Sequence, residues 1–389
     1  MRCAKVGVYA IERFGDNVAR AFVTADVVIR LRRGLCLALL LCIATASAEQ
    51  RDNAPRRNSS FASLVGELSE PPGYFDTDNL ISNERSYLHV IPDLRALAGG
   101  GRGVYVGVGP DQNFSYIAHL RPSLAIVVDI RHDNLLLHLL FKALFAEAQT
   151  RLAYLAMLTG RPAPVDADKK ERSLDEIVGY IDRTPALGDA DLRALRARLT
   201  RVIDSFGVPL TESDRATIDR FHQRFVAAGL SLQFNTFGRQ PQYDYPTFRE
   251  LLLETDRQGV RRSYLASEED FQFVKRLHAE HRIVPVVGDL SGRAALAAVA
   301  RFLTQANLQV AAFYTSNVEF YLFREGRFAE FIANLRRLPR RPGAAIVRSV
   351  FRSGGTLPGY NSASLTQPID VLINGYASGR IRDYRDLAR

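Results

Sequence analysis

Four short polar runs, each following an apolar stretch, hold most of the residues able to do chemistry in this chain. The first is Gly107-Val-Gly-Pro-Asp-Gln-Asn113 after Val104-Tyr-Val, and the second is Asp129-Ile-Arg131 after Ala125-Ile-Val-Val. The third is Gly288-Asp-Leu290 and the fourth is Thr315-Ser-Asn-Val-Glu319. Together they suit a nucleoside. Gly107 and Gly109 let a ligand approach the backbone, and the helix that begins after Pro110, at Asp111, Gln112 and Asn113, offers that ligand free N–H groups. Asp129 stands twenty residues beyond Gly109, the spacing that sets a ribose-binding acid beside a glycine turn in the first two strands of a doubly wound sheet. Asp289, or the backbone beside it at Gly288 and Leu290, suits an adenine amino group. Ser316 completes the cofactor side, and Asn317 and Glu319 are the candidate catalytic residues at the reacting end.

The glycine pattern separates the candidate ligands. A dinucleotide fingerprint needs a third small residue at position 112, where this chain has Gln112, preceded by Asp111. A carboxylate there repels a pyrophosphate and attracts an ammonium group. S-adenosylmethionine carries an ammonium and a sulfonium and no phosphate, so the pattern favours it over a nicotinamide dinucleotide. Plainer roles stand beside these. Asp111 and Asp289 both suit helix caps, Asn317 and Glu319 suit a cap and a first turn, and Asp129 suits a solvated strand end.

The elements that must position these runs follow an α/β rhythm. Strands are expected at 104–108, 124–129, 283–287, 308–314 and 344–351, with a last one at 369–376. Helices are expected at 111–120, 134–158, 267–281, 292–304 and 327–337. The 134–158 helix is apolar on most faces and should be buried on more than one side. Residues 160–262 break the rhythm with helices at 173–184, 189–206, 212–229 and 246–256, for which Asp189 and Ser213 are plausible caps. This reads as a helical insertion lying over the sheet, within an α/β domain spanning 61–389.

In order, these features are a glycine turn, an acid ending strand two, Gly-Asp after strand three and a polar turn after strand four. That order resembles class I methyltransferases. More closely, the stretch from about Asn79 to Arg348 is similar to a bacterial family of unassigned reaction with that methyltransferase-like, Rossmann-like fold. The runs that carry the resemblance include Ser82-Asn-Glu84, Tyr105–Ile117, Asp129-Ile-Arg131, His138–Phe145, Ser263–Ala266, Ile283–Leu290 and Phe313–Leu322. The resemblance implies a doubly wound sheet of the class I methyltransferase type, and it lifts Asn83 and Glu84, with Tyr87, to candidate substrate-binding residues. Tyr105 stands where an acid often precedes the glycines, and Asp111 interrupts the glycine pattern.

Charge and cysteine usage bound the remainder. The formal charge is +9, but seven of the 51 basic residues and three of the 42 acidic ones precede residue 49, which leaves +5 on the rest. That excess is too mild and too scattered to argue for a nucleic-acid partner, and the strand-end residues leave a small-molecule ligand as the expected one. Arg30, Arg32 and Arg33, the apolar run Leu35–Ala44 and Ala46-Ser-Ala48 match the three parts of a secretory signal. The region 1–48 is therefore expected to combine an over-long start with a leader at about 28–48, followed by a polar linker at 49–60. Use of that leader would make the protein extracytoplasmic, with no stable membrane span after cleavage. Non-use would leave it cytoplasmic. Cys3, Cys36 and Cys42 all precede the expected cleavage point, so no thiol chemistry or cysteine-based metal site is expected beyond it. His278 and His281 sit three apart without a third ligand and suit a solvated helix face; His138, on an apolar helix, suits a satisfied core histidine.

Two functions fit: an S-adenosylmethionine-dependent methyltransferase with Asn317 or Glu319 orienting the acceptor, or a binding protein that keeps the fold without the reaction. No metal is expected, and the sequence leaves the oligomeric state open.

Overall fold

Apolar runs of four to seven residues with no exposed position are what a parallel strand covered on both faces requires, and the chain supplies them in order. In the computed structural model, β1 (Val104–Gly107), β2 (Leu124–Asp129), β3 (Ile283–Val287), β4 (Val310–Ser316), β5 (Arg340–Phe351) and β6 (Ser362–Pro368) form a single six-stranded sheet. The structure describes residues 60–99, 103–164, 172–237, 244–351 and 356–388. The expected leader, the 1–48 region and all of the 49–60 linker except Ser60 lie outside them.

The strand order is 3-2-1-4-5-6. Strands β1 to β5 are parallel, and β6 pairs antiparallel with β5. The protein is thus an α/β chain with a mostly parallel mixed sheet, consistent with a Rossmann-like doubly wound fold. The order reverses between β1 and β4, and a ligand crevice is expected outside the carboxyl ends of the strands at that point.

The final strand expected at 369–376 is a helix, Ile369–Ala377, and the strand is the segment just before it. Ile369, Leu372 and Ile373 are its large buried side chains, and that spacing belongs to a helix. The expected 134–158 helix is two, His132–Glu147 and Arg151–Leu158. Ala148 is extended, and Thr150 caps the second helix by accepting from the Ala153 N–H. Every residue from Asn134 to Phe145 is buried, as the all-round apolar pattern requires.

The long insertion forms helices Leu174–Arg183, Asp189–Ser205, Glu212–Ala228 and Phe248–Leu253. Their caps sit slightly earlier than expected: Gly188 in place of Asp189, and Thr211 in place of Ser213. Thr211 and Asp214 form a capping box, whereas the acid at 189 falls in the first helical turn, where the helix dipole favours it. The two long helices of the insertion pack on His132–Glu147, which itself packs on β2 and β3. They therefore form a further layer outside that helix. Among the described residues no helix is long and apolar enough to cross a membrane.

Candidate functional site

The carboxyl ends of β1, β2, β3 and β4 open into one cleft of about 770 Å³. Its floor and inner wall include Gly109, Gln112, Asp129, Ile130, Arg131, Gly288, Asp289, Leu290, Ser316 and Asn317, with Asn83 at one side. The polar ends of all four strands thus meet in one place. Gly107, Pro110, Asp111, Asn113, Glu84, Tyr87 and Glu319 are not among the lining residues.

The turn after β1 is built from below. Tyr105 donates its hydroxyl to Asn113 Oδ1 at 2.7 Å, and Asn113 Nδ2 reaches the carbonyls of Val108, Gly109 and Pro110 at 2.8, 3.1 and 2.7 Å. His138 Nε2 meets the Gly109 carbonyl at 2.9 Å, so the turn is tied to the buried helix as well. Burial lowers the His138 pKa to about 4. The space over Gly107 belongs to this scaffold. A Cβ there would fall 2.0 Å from Asn113 Oδ1, so Asn113 takes the room the sequence reading assigned to a ligand. Gly109, with φ +80°, is the residue that bares backbone to the cleft.

Asp111 is turned away from the cleft. It occupies the cap position of helix Gln112–Leu120 without a side-chain capping bond, and Tyr264 donates to its Oδ2 at 3.2 Å. Burial raises its pKa to about 7. An ammonium group in the cleft does not meet this carboxylate. Gln112 lines the cleft instead: its Nε2 reaches the Tyr314 hydroxyl at 3.3 Å, and its buried Oε1 has no partner.

Asp129 ends β2 as expected, with a neighbour that spacing did not reveal. Arg131 grips it through Nε to Oδ1 at 3.1 Å and Nη2 to Oδ2 at 3.0 Å, and the Arg131 N–H donates to Oδ1 at 2.9 Å. Arg131 Nη1 also reaches the Asp78 carbonyl at 3.2 Å. Asp289 Oδ1 accepts from the Ser291 N–H and hydroxyl, both at 2.8 Å, while Oδ2 pairs with Arg327 at 2.7 Å. The helix beyond it begins at Ala295, and Asp289 caps the turn rather than that helix.

A strap from Glu70 to Asn83 crosses the strand ends. The Gly73 N–H donates to the Ile130 carbonyl at 2.9 Å, and the Glu70 N–H donates to the Val287 carbonyl at 2.9 Å. Sequence reasoning missed its first half, because nothing local marks Glu70 or Gly73 as neighbours of β3 and β2.

Glu319 is fully buried. Both its oxygens are held by Arg348, Nε to Oε2 at 2.5 Å and Nη2 to Oε1 at 3.3 Å. It belongs to helix Val318–Arg324, and its carboxylate is committed to the core. Asn317 lines the cleft at the start of that helix. Glu84 is also fully buried, beneath the cleft, where Tyr314, Ser316 and Ser349 donate hydroxyls to it. Burial raises its pKa above the usual carboxylate range. Tyr87 is buried, and its hydroxyl donates to the Leu251 carbonyl at 3.1 Å.

His278 is buried and stacks on Phe145 at 4.7 Å, so it does not lie on a solvated face. Among the described residues no group of three or more histidine, cysteine, aspartate or glutamate side chains could hold a metal ion.

Residues 80–168 and 236–370, more than half of the chain, match a family described as "Domain of unknown function (DUF7790)". The chain belongs to that family. The two matched segments carry β1 to β6 and every strand end that faces the cleft, while the gap between them falls in the helical insertion. No curated protein matches it.

Proposed function

We propose that the cleft binds S-adenosylmethionine and that the protein is a methyltransferase of the class I type. The observation that carries this reading is that Asp129, Gly109 and Gln112 line one cleft at the point where the strand order reverses. Asp129 would hold the ribose hydroxyls, with Arg131 fixing the carboxylate's orientation. Gly288 to Leu290 would border the adenine. Gln112, which lines the cleft, would meet the amino-acid end, the role first considered for Asp111. When bound, the cofactor supplies an electrophilic methyl group on sulfur. The chain's own task is then to align the acceptor and exclude water, and such positioning carries much of the catalysis in a displacement.

The test is calorimetry of the cofactor against the wild type, Asp129→Asn and Asp129→Ala. Loss of binding in both variants with retained folding is expected. Unchanged affinity would sink the assignment.

A second reading draws on Glu319. Its commitment to Arg348 leaves Asn317 as the one candidate catalytic side chain lining the cleft. That favours an extracytoplasmic binding protein for a nucleoside-like or amino-acid-like molecule, in line with the leader expected at about 28–48. A reporter fused to a chain starting at Val27 reads out export, and a purely cytoplasmic signal removes this alternative.

A further inference from the structure

A carboxyl group shut away from water with no cation beside it is expensive to keep, and its partners indicate what it is for. Glu84 is such a group. No lysine, arginine or histidine pairs with it among the described residues. Three hydroxyls donate to its two oxygens: Ser316 to Oε1, and Tyr314 and Ser349 to Oε2. Each of these hydroxyls can donate to the carboxylate when Glu84 is ionised and accept its proton when it is not, so the cluster serves both states. The titratable groups that sense its charge are Tyr105, Tyr116, Tyr314 and Tyr384, all of which burial holds neutral.

One of the three hydroxyls belongs to a residue that lines the cleft. Ser316 ends β4 with φ +55°, a left-handed backbone that a serine adopts at a cost. Behind Glu84 the chain continues inward. Ser349 Oγ lies 3.4 Å from Ser364 Oγ, which lies 3.1 Å from Ser86 Oγ, itself 3.0 Å from Ser362 Oγ. Each hydroxyl can reverse its donor direction, so this buried row can reorganise around a change of charge on Glu84.

Aromatic rings frame the same cleft. Phe75 meets Tyr321 edge-on at 4.8 Å, Tyr321 meets Phe320 at 5.3 Å, and Phe320 meets Tyr384 at 5.3 Å. All four line the cleft, and Phe320 and Tyr321 lie on the helix immediately after Ser316. Such walls select a flat ring.

We propose that the cleft takes an aromatic compound bearing a hydroxyl group, whose proton passes to Ser316 Oγ as the Ser316 proton passes to Glu84. This rests on the methyltransferase reading and names its acceptor class. Ser316 is the residue that touches the acceptor, and Glu84 is a positioning residue that receives the proton through it. Among hydroxyl acceptors a phenol, with a pKa of about 10, gives up its proton to a carboxylate far more readily than an aliphatic alcohol does. The transfer balances. The acceptor loses O–H and gains a methyl group through its oxygen lone pair, the S–C electron pair stays on sulfur, and the proton ends on Glu84.

The experiment uses 4-nitrophenol, whose anion is yellow, titrated into the full chain in the presence of S-adenosylhomocysteine. The wild type should bind it as the anion at a pH where free probe is neutral. Glu84→Gln and Ser316→Ala should bind it as the neutral phenol, with the bound probe's apparent pKa raised by about one unit, a tenfold change. Ser316→Ala leaves the Glu84 carboxyl in place, so it decides the question if Glu84→Gln folds poorly. Phe320→Ala should weaken binding without changing the bound spectrum. Failure of the wild type to bind the probe, or identical spectra in wild type and both polar variants, overturns the proposal. Calorimetry of S-adenosylmethionine on the same wild-type protein is scored separately. A null there defeats the methyltransferase reading, while the probe's spectrum still decides the proton path.

Discussion

Asn113 supports the glycine turn from beneath, and Tyr105 holds Asn113 in place with a 2.7 Å hydrogen bond. One side-chain amide thereby serves three consecutive carbonyls, and Tyr105, which stands where an acid often precedes the glycines, acquires a purpose in holding it. Asn113→Ala strands those carbonyls and the Tyr105 hydroxyl in a buried site. A loss of about 3 kcal/mol is expected, measured by urea unfolding. A loss below about 0.5 kcal/mol, the range of an ordinary surface substitution, would contradict this account.

Glu319 and Arg348 form a pair with neither side chain open to water. Removing one member leaves an uncompensated buried charge, so Arg348→Met should cost about 3 kcal/mol or more, with Glu319→Gln also destabilising. The double replacement Glu319→Gln with Arg348→Met should recover part of that loss. If Glu319→Gln leaves stability intact and alters ligand binding alone, its carboxylate serves the cleft after all.

Much of the fold was legible because burial on both faces of a parallel strand leaves an uninterrupted apolar run, as in Ala125–Val128. The edge was not. Ser362–Pro368 is a polar segment whose strand character comes from pairing with β5, while the β-branched Ile369–Ile373 stretch is helical because its apolar residues recur at helix spacing. The site divides in the same way. Asp129 and Asp289 were legible because topology delivers strand ends to one crevice. Glu84, by contrast, meets Ser349 across 265 positions, and Arg131 turns back on Asp129 in a way that no spacing rule specifies.

Asp111 gives stability a pH dependence. Its folded pKa is raised to about 7 by burial, against 3.8 for an ordinary aspartate, so between those values the folded chain binds more protons than the unfolded one. Stability from this group is greatest below about pH 4 and falls as pH rises through about 7. The full change is on the order of a few kcal/mol. His138, lowered to about 4, works in the opposite sense between about 4 and 6.5, so the whole-protein curve mixes the two. Unfolding of wild type and Asp111→Asn at pH 5 and pH 8 isolates the aspartate. The variant should gain on the wild type at the higher pH, and equal differences at both values would refute the assignment.

Glu70 ties the start of the strap to the turn after β3. Its Oε2 accepts from the Ala294 and Ala295 N–H groups at 3.1 and 3.0 Å, and its Oε1 accepts from the Asp289 N–H at 2.7 Å. A carboxylate brought from a distant strap thus occupies the start of helix Ala295–Gln305, where unpaired N–H groups and the helix dipole both favour negative charge. Gly292 leaves it room, since a Cβ there would fall 2.6 Å from Oε1. Glu70→Ala should cost about 1–2 kcal/mol and loosen the strap residues that line the cleft, lowering ligand affinity as well. Because the vacated N–H groups form an anion site, sulfate should raise the melting temperature of Glu70→Ala more than that of the wild type. Equal responses to sulfate would mean that the carboxylate is not what satisfies this helix start.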